Sequence, residues 1–446
     1  MRATTRGVRL IALAVTLQLG AGVVTAAGFD RPAPPPPAAT RARALPQAPS
    51  DAAVTSARTA AVRRLLAARS VAVMTRDRAG FLTTLDPSAI GLRARQAASF
   101  DALSAVPLAS FDYELQPLSQ RADDTQLDNR YGRGQWWAPP VFFRYTIEGF
   151  DDRPTVVEHH LTFVRRSGRW LLAADDDFAT VGLPTPRALW DRGPVRAVRA
   201  PGVLVLGHPE SLNLMRNVAT LASVAVPKVT AGWGAGWPQR VIVLVPRDAG
   251  ELAGLLGTDS DLSQIAAVAT AELAGAGTYD PSGDRVLVNP STFSTLNQLG
   301  RQVVLTHEVT HVATRRATGP AVPSWLAEGL ADHLAYRDVD LPLQVSAREL
   351  AQDVRAGRVP DRLPRDQDFT GTNPALSQAY EQAWLVVRLI AERYGEQRLL
   401  AFYRAVGAAR DVNATDAIEQ AQDTEPGTTR DRLLSDWQAA RRRQLA

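Results

Sequence analysis

LTHEVTHVATRRATGPAVPSWLAEGLAD, residues 305–332, holds two histidines, two glutamates and an aspartate within twenty-eight positions. His307 and His311 are four apart. On an α-helix this spacing brings both imidazoles to one face, one turn apart, where they can hold a single metal ion. Glu308 follows the first histidine and projects beside that point, the position of a base acting on metal-activated water. Helix is well signalled here. Leu299, Val303, Val304, Val309 and Val312 form an apolar stripe, Arg315 and Arg316 occupy the last turn, and Gly319-Pro320 ends it. Histidine is scarce, with six in 446 residues, so a pair at this spacing stands out.

A catalytic zinc takes three protein ligands and keeps a fourth position open. The chain has no cysteine, which leaves carboxylates and the few other histidines as third ligand. Pro323-Ser324 opens a second helix, WLAEGLADHLAY, with Glu328 one turn in. The sixteen residues between His311 and Glu328 suffice for a helix end, a turn and an antiparallel helix that carries a carboxylate back. Asp332 shares the Glu328 face and can accept the free ring N–H of a ligating histidine. Gly329 in mid-helix costs about 1 kcal/mol relative to alanine, implying close approach of another backbone or a need for space. His333 faces elsewhere and reads as structural.

HEVTH followed by PSWLAEGLAD resembles the gluzincin clan of zinc metallopeptidases, the group of thermolysin and of the aminopeptidases with a WLxEGxA helix. The resemblance covers residues 300–335. It implies a thermolysin-like domain with a small sheet and a mostly helical body, and one zinc ion held by His307, His311 and Glu328. It further implies Glu308 as general base, Asp332 as the acid behind the ligands, and a peptide or protein substrate. Tyr380, in LSQAYEQAW, resembles the tyrosine of a Y-x-x-(G/A) run in related gluzincins and is the candidate oxyanion donor, with core packing as its other role. Two features depart from the pattern. The interval from His311 to Glu328 is shorter than in the best-known members. No G-x-M-E-N run precedes the HEVTH helix, and DRVLVNPSTF stands there instead, which disfavours aminopeptidase specificity.

Outward from the motif, RVLV (285–288) is expected as the edge strand along which an extended peptide adds, or as an ordinary strand, ending at Asn289. Further upstream are a short strand at 203–206, a helix over 211–224, a strand RVIVLV (240–245) and a helical region over 248–276. Prolines and glycines between 184 and 202 mark a linker, placing one domain at 52–185 and another at 200–446. The first begins with a helix over 52–80 (Val62, Leu65, Leu66, Val73). The period then changes to two in VFFRYTIEGF and VVEHHLTFV, and Ser167-Gly168 turns into RWLLAAD as a hairpin. Helix followed by antiparallel sheet indicates α+β, for this domain and for the whole chain. The run DRPTVVEHHLTFVRRSGRWLLAADD resembles the cone-shaped nuclear transport factor-like folds. His159 reads as a core histidine, His160 points to the opposite face, and Trp136-Trp137 read as packing residues.

The remaining signals concern location. Residues 1–28 carry Arg2, Arg6 and Arg9 ahead of an apolar run, compatible with a cleaved signal peptide or with a single retained membrane anchor. Residues 29–51 form a Pro/Ala-rich linker. The chain is therefore expected outside the cytoplasm, secreted or tethered to the membrane, and the absence of cysteine excludes disulfides. A net charge of +4 is small for this length, so no nucleic-acid partner is inferred. The function expected is zinc-dependent peptide hydrolysis; the alternative is a non-catalytic metallopeptidase-like module whose first domain does the recognition.

Overall fold

The computed structural model describes residues 51–116, 125–273, 281–371, 373–409, 414–424, 432 and 435–439. The leader and nearly all of the Pro/Ala-rich linker lie outside the described residues. Among these residues no helix is long and apolar enough to cross a membrane. The architecture is mixed α+β, as the sequence predicts.

Eleven strands are described: β1 Leu108–Leu115, β2 Trp136–Trp137, β3 Pro140–Ile147, β4 Thr155–His160, β5 Thr162–Arg166, β6 Arg169–Ala174, β7 Arg196–Ala200, β8 Val203–Gly207, β9 Val241–Val245, β10 Ala267–Leu273 and β11 Pro281–Val288. In the first half, helices Asp51–Met74 and Ile90–Leu103 accompany two antiparallel three-stranded sheets, β1-β3-β4 and β2-β5-β6. VVEHHLTFV, expected as one strand, is two. The chain leaves β4 at His160 and enters the other sheet at Thr162, so Leu161 is a corner between them. The expected Ser167-Gly168 turn joins β5 to β6, with both residues at positive φ (47° and 80°) as a twist-matched two-residue hairpin requires.

The second half is organised by a five-stranded sheet in the order β10-β11-β9-β8-β7, parallel at β8/β9 and β9/β11 and antiparallel at its two margins. Two expectations are corrected here. RVLV is interior, flanked by β9 and β10, and the edge is β10. The region 248–276 is not helical throughout: helix stops at Ala249–Leu256, and AVATAEL forms β10. Alanines in that run give no strand signature of their own; hydrogen bonding to β11 imposes the strand. In addition, Arg196–Ala200, read as linker, is the margin strand β7.

Because strand side chains alternate, this sheet has two buried faces. Val203, Val205, Val241, Val243, Val286 and Val288 face a core shared with helices Leu212–Trp233 and Gln298–Thr314. Leu204, Leu206 and Ile242 face the first half and join Phe111, Phe143, Ile147 and Trp190 in one continuous core. A buried ion pair reinforces that contact: Arg285 of β11 donates to both oxygens of Asp151 at 2.8 Å.

Candidate metal centre

Three helices bring the motif residues together. The histidine helix, Gln298–Thr314, is capped by Asn297, whose side chain accepts from the Gly300 N–H at 2.8 Å. The glutamate helix, Ser324–Tyr336, starts at Pro323, and its first N–H, on Ser324, is taken by the Asp366 carboxylate at 2.8 Å. The tyrosine helix, Leu376–Tyr394, packs against the glutamate helix at Gly329, where an added Cβ would lie 2.5 Å from the Ala383 carbonyl oxygen. The mid-helix glycine is thus explained by close backbone approach.

His307 Nε2, His311 Nε2 and one Glu328 oxygen converge, separated by 3.0 Å between the nitrogens and by 3.1 and 3.2 Å from each nitrogen to the oxygen. Asp332 accepts from His307 Nδ1 at 2.8 Å, which turns His307 Nε2 toward the other two atoms. Three potential electron-pair donors therefore face one point. Without a metal, a second proton on His307 bridges the group; around zinc, which would displace that proton, at about 2.0 to 2.1 Å, tetrahedral ligands sit about 3.3 to 3.4 Å apart, close to the triangle seen. His307, His311 and Glu328 can hold a metal ion, and the donor set, two imidazoles and a carboxylate, suits zinc.

The four central side chains are only 1–7% exposed. Burial works against charge on His307, yet the Asp332 carboxylate and its hydrogen bond, with help from Glu328, hold its pKa well above the usual histidine range. Burial also opposes the Glu328 charge, and the two imidazoles outweigh it, keeping the carboxyl well below its ordinary value. Glu308 behaves differently. Burial pushes its carboxyl up despite the neighbouring histidines, and both its oxygens are buried without a hydrogen bond. The backbone of Ala269 in β10 bears on this carboxyl, so the sheet edge passes beside it.

Tyr380 also reaches the site. Its ring centroid is 6.3 Å from that of His307, its hydroxyl is buried without a partner, and burial followed by the Glu328, Asp332 and Glu308 charges keeps that hydroxyl protonated. Two of the other four histidines pair elsewhere, His333 with Glu396 at 2.9 Å and His208 with Glu251 at 2.6 Å, and His159 and His160 lie in the first half. Asn289 caps the helix that follows it and donates to the Leu262 carbonyl. Sequence reasoning missed β10 as the strand beside Glu308, and it missed Asp366, whose capping contact comes from 42 residues away.

No protein-family model matches the sequence, and none of the curated proteins does. Among solved structures, one similar chain is a two-domain M1 zinc metallopeptidase, a mutant bound to L-arginine. The TM-score is 0.32 at 15% identity, over 62% of this chain and 58% of that one. This chain thus spans less than two thirds of that protein.

Proposed function

We propose that the protein is a zinc metallopeptidase of the gluzincin type, cleaving peptide bonds outside the cytoplasm. The observation that carries this reading is the triangle of His307, His311 and Glu328 with the unpartnered Glu308 carboxylate beside it. A bound zinc ion would supply Lewis-acid polarisation of the scissile carbonyl and acidify water to about pKa 7. The chain's own residues do the rest. Glu308, raised by burial toward the working range of a general base, takes the proton of the attacking water and passes it to the leaving amine. The Tyr380 hydroxyl, protonated and unpartnered, donates to the carbonyl oxygen as it gains charge. Asp332 keeps the His307 proton on Nδ1. The edge of β10, beside Glu308, is the strand against which an extended peptide would align. The Arg-flanked apolar leader supports an extracytoplasmic location.

The test is a pair of measurements on the full chain: zinc content, and chelator-sensitive cleavage of a peptide library by wild type and Glu308→Gln. One zinc per chain, with cleavage lost in the variant, is expected; retention of cleavage by zinc-loaded Glu308→Gln would falsify the mechanism. One observation favours the second reading, a non-catalytic module. The motif residues are nearly closed off, whereas a cavity of about 150 Å³ lies between the first half and the five-stranded sheet. Zinc content without any cleavage would support that alternative.

A further inference from the structure

The cavity is enclosed by β1, β3 and β4 of the first half and by the sheet face bearing Leu206, Leu244 and Leu287. Most of its wall is apolar. Arg69, on the Asp51–Met74 helix, lines it and is only 2% exposed. Its guanidinium donates to the Thr84 hydroxyl at 2.8 Å and the Gln96 carbonyl oxygen at 2.6 Å, lies over the Phe81 ring at 4.1 Å and bears on the Tyr113 hydroxyl, all neutral groups, and its Nε has no hydrogen-bond partner. Among the described residues no carboxylate lies within ion-pairing distance of it. The nearby Asp175 is already taken by Arg187 at 2.7 Å and Arg95 at 2.8 Å. Arg285 lines the same cavity and shows the contrast, since it is matched oxygen for nitrogen by Asp151.

A buried, always-charged guanidinium without a counter-charge is costly, and an anion in the cavity would relieve it. A second polar group points the same way. The His159 ring, tilted against Phe143 at 5.0 Å between centroids, makes no hydrogen bond among the described residues and lines the same space. A volume of about 150 Å³ with apolar walls takes a molecule of benzene size. We propose that this cavity binds a small monocarboxylate with an apolar body, its carboxylate paired with Arg69 and its body among the aromatic rings of β1 and β3. The other carboxyl on the wall without an ion pair, Asp191, accepts from the Ser99 hydroxyl at 2.7 Å and the Ala188 N–H at 3.0 Å, and burial pushes it up toward its neutral form, so Arg69 selects a monoanion over a phosphate. The site is separate from the metal centre, lying against the opposite face of the five-stranded sheet.

Isothermal titration of the full chain with benzoate, phenylacetate and hexanoate, each against its neutral amide, tests this. At least one acid is expected to bind one to one, and at least tenfold more tightly than its amide. Arg69→Met should erase that preference, and Val157→Trp, which takes up cavity space and leaves Arg69 in the chain, should weaken acid and amide alike by at least tenfold. Circular dichroism checks that both variants fold, and the acid–amide comparison on the unaltered chain needs neither. Failure of all three acids to bind, equal affinity for acid and amide, or unchanged binding by Val157→Trp overturns the proposal.

Discussion

The two faces of the five-stranded sheet handle polar groups in opposite ways. On the helical face, His307, His311 and Glu328 crowd around a single point the size of one ion. On the other face, polar groups are spread along the wall of a chamber, and the arginine among them is held by neutral neighbours. Convergence suits an ion; dispersal suits a molecule. A site's size can thus be read from whether its unsatisfied atoms share one focus or several.

The contrast can be broken at the metal side first. Glu328→Ala should remove one corner of the triangle and reduce bound zinc from one equivalent to near zero, read by elemental analysis after dialysis. Full occupancy in this variant would mean that the convergence is incidental. Asp332→Asn leaves the triangle in place and removes only the acceptor behind His307. Zinc affinity should fall about 10- to 100-fold in competition with a chromogenic chelator.

Smaller effects come from packing and titration. Gly329→Ala puts a methyl group against the Ala383 carbonyl; the helix-propensity gain of about 1 kcal/mol is outweighed by overpacking of about 1–3 kcal/mol, so chemical denaturation should show net destabilisation. On the cavity side, burial and then the Arg187 charge push His159 down to about 3. A depressed folded value means stability is complete above the unfolded value near 6.5 and is lost as pH falls toward 3. Between pH 7 and pH 5 the loss should be on the order of 1 to 2 kcal/mol, and His159→Gln should abolish that slope; an unchanged slope assigns it to other groups.

Legibility in the sequence followed the same division. The histidine helix could be read because its apolar period, its end signals and its ligand spacing all agree. Glu328 could be read because Pro323-Ser324 starts a helix at a useful distance. β10 could not, since Val268 and Thr270 are its only β-branched residues and the alanines between them favour helix, so that pairing with β11 makes it a strand. For the same reason the sequence leaves RVLV open between an edge strand and an ordinary one: sequence order does not give spatial order within a sheet. Arg69 was invisible, because on an Ala- and Arg-rich helix it reads like exposed Arg63 and Arg64, and only the folded chain shows which of them is enclosed.

The leucines on the far face of the sheet carry one more consequence. Leu204 and Leu206 are fully or almost fully enclosed by the first half, each worth about 1.5–3 kcal/mol relative to exposure. A truncated chain starting at β7 would wet that strip and strand the Arg285 charge without Asp151. Such a fragment should clump rather than stay dispersed, so the catalytic-looking half is no portable module, and its neighbour acts as a permanent lid on greasy ground.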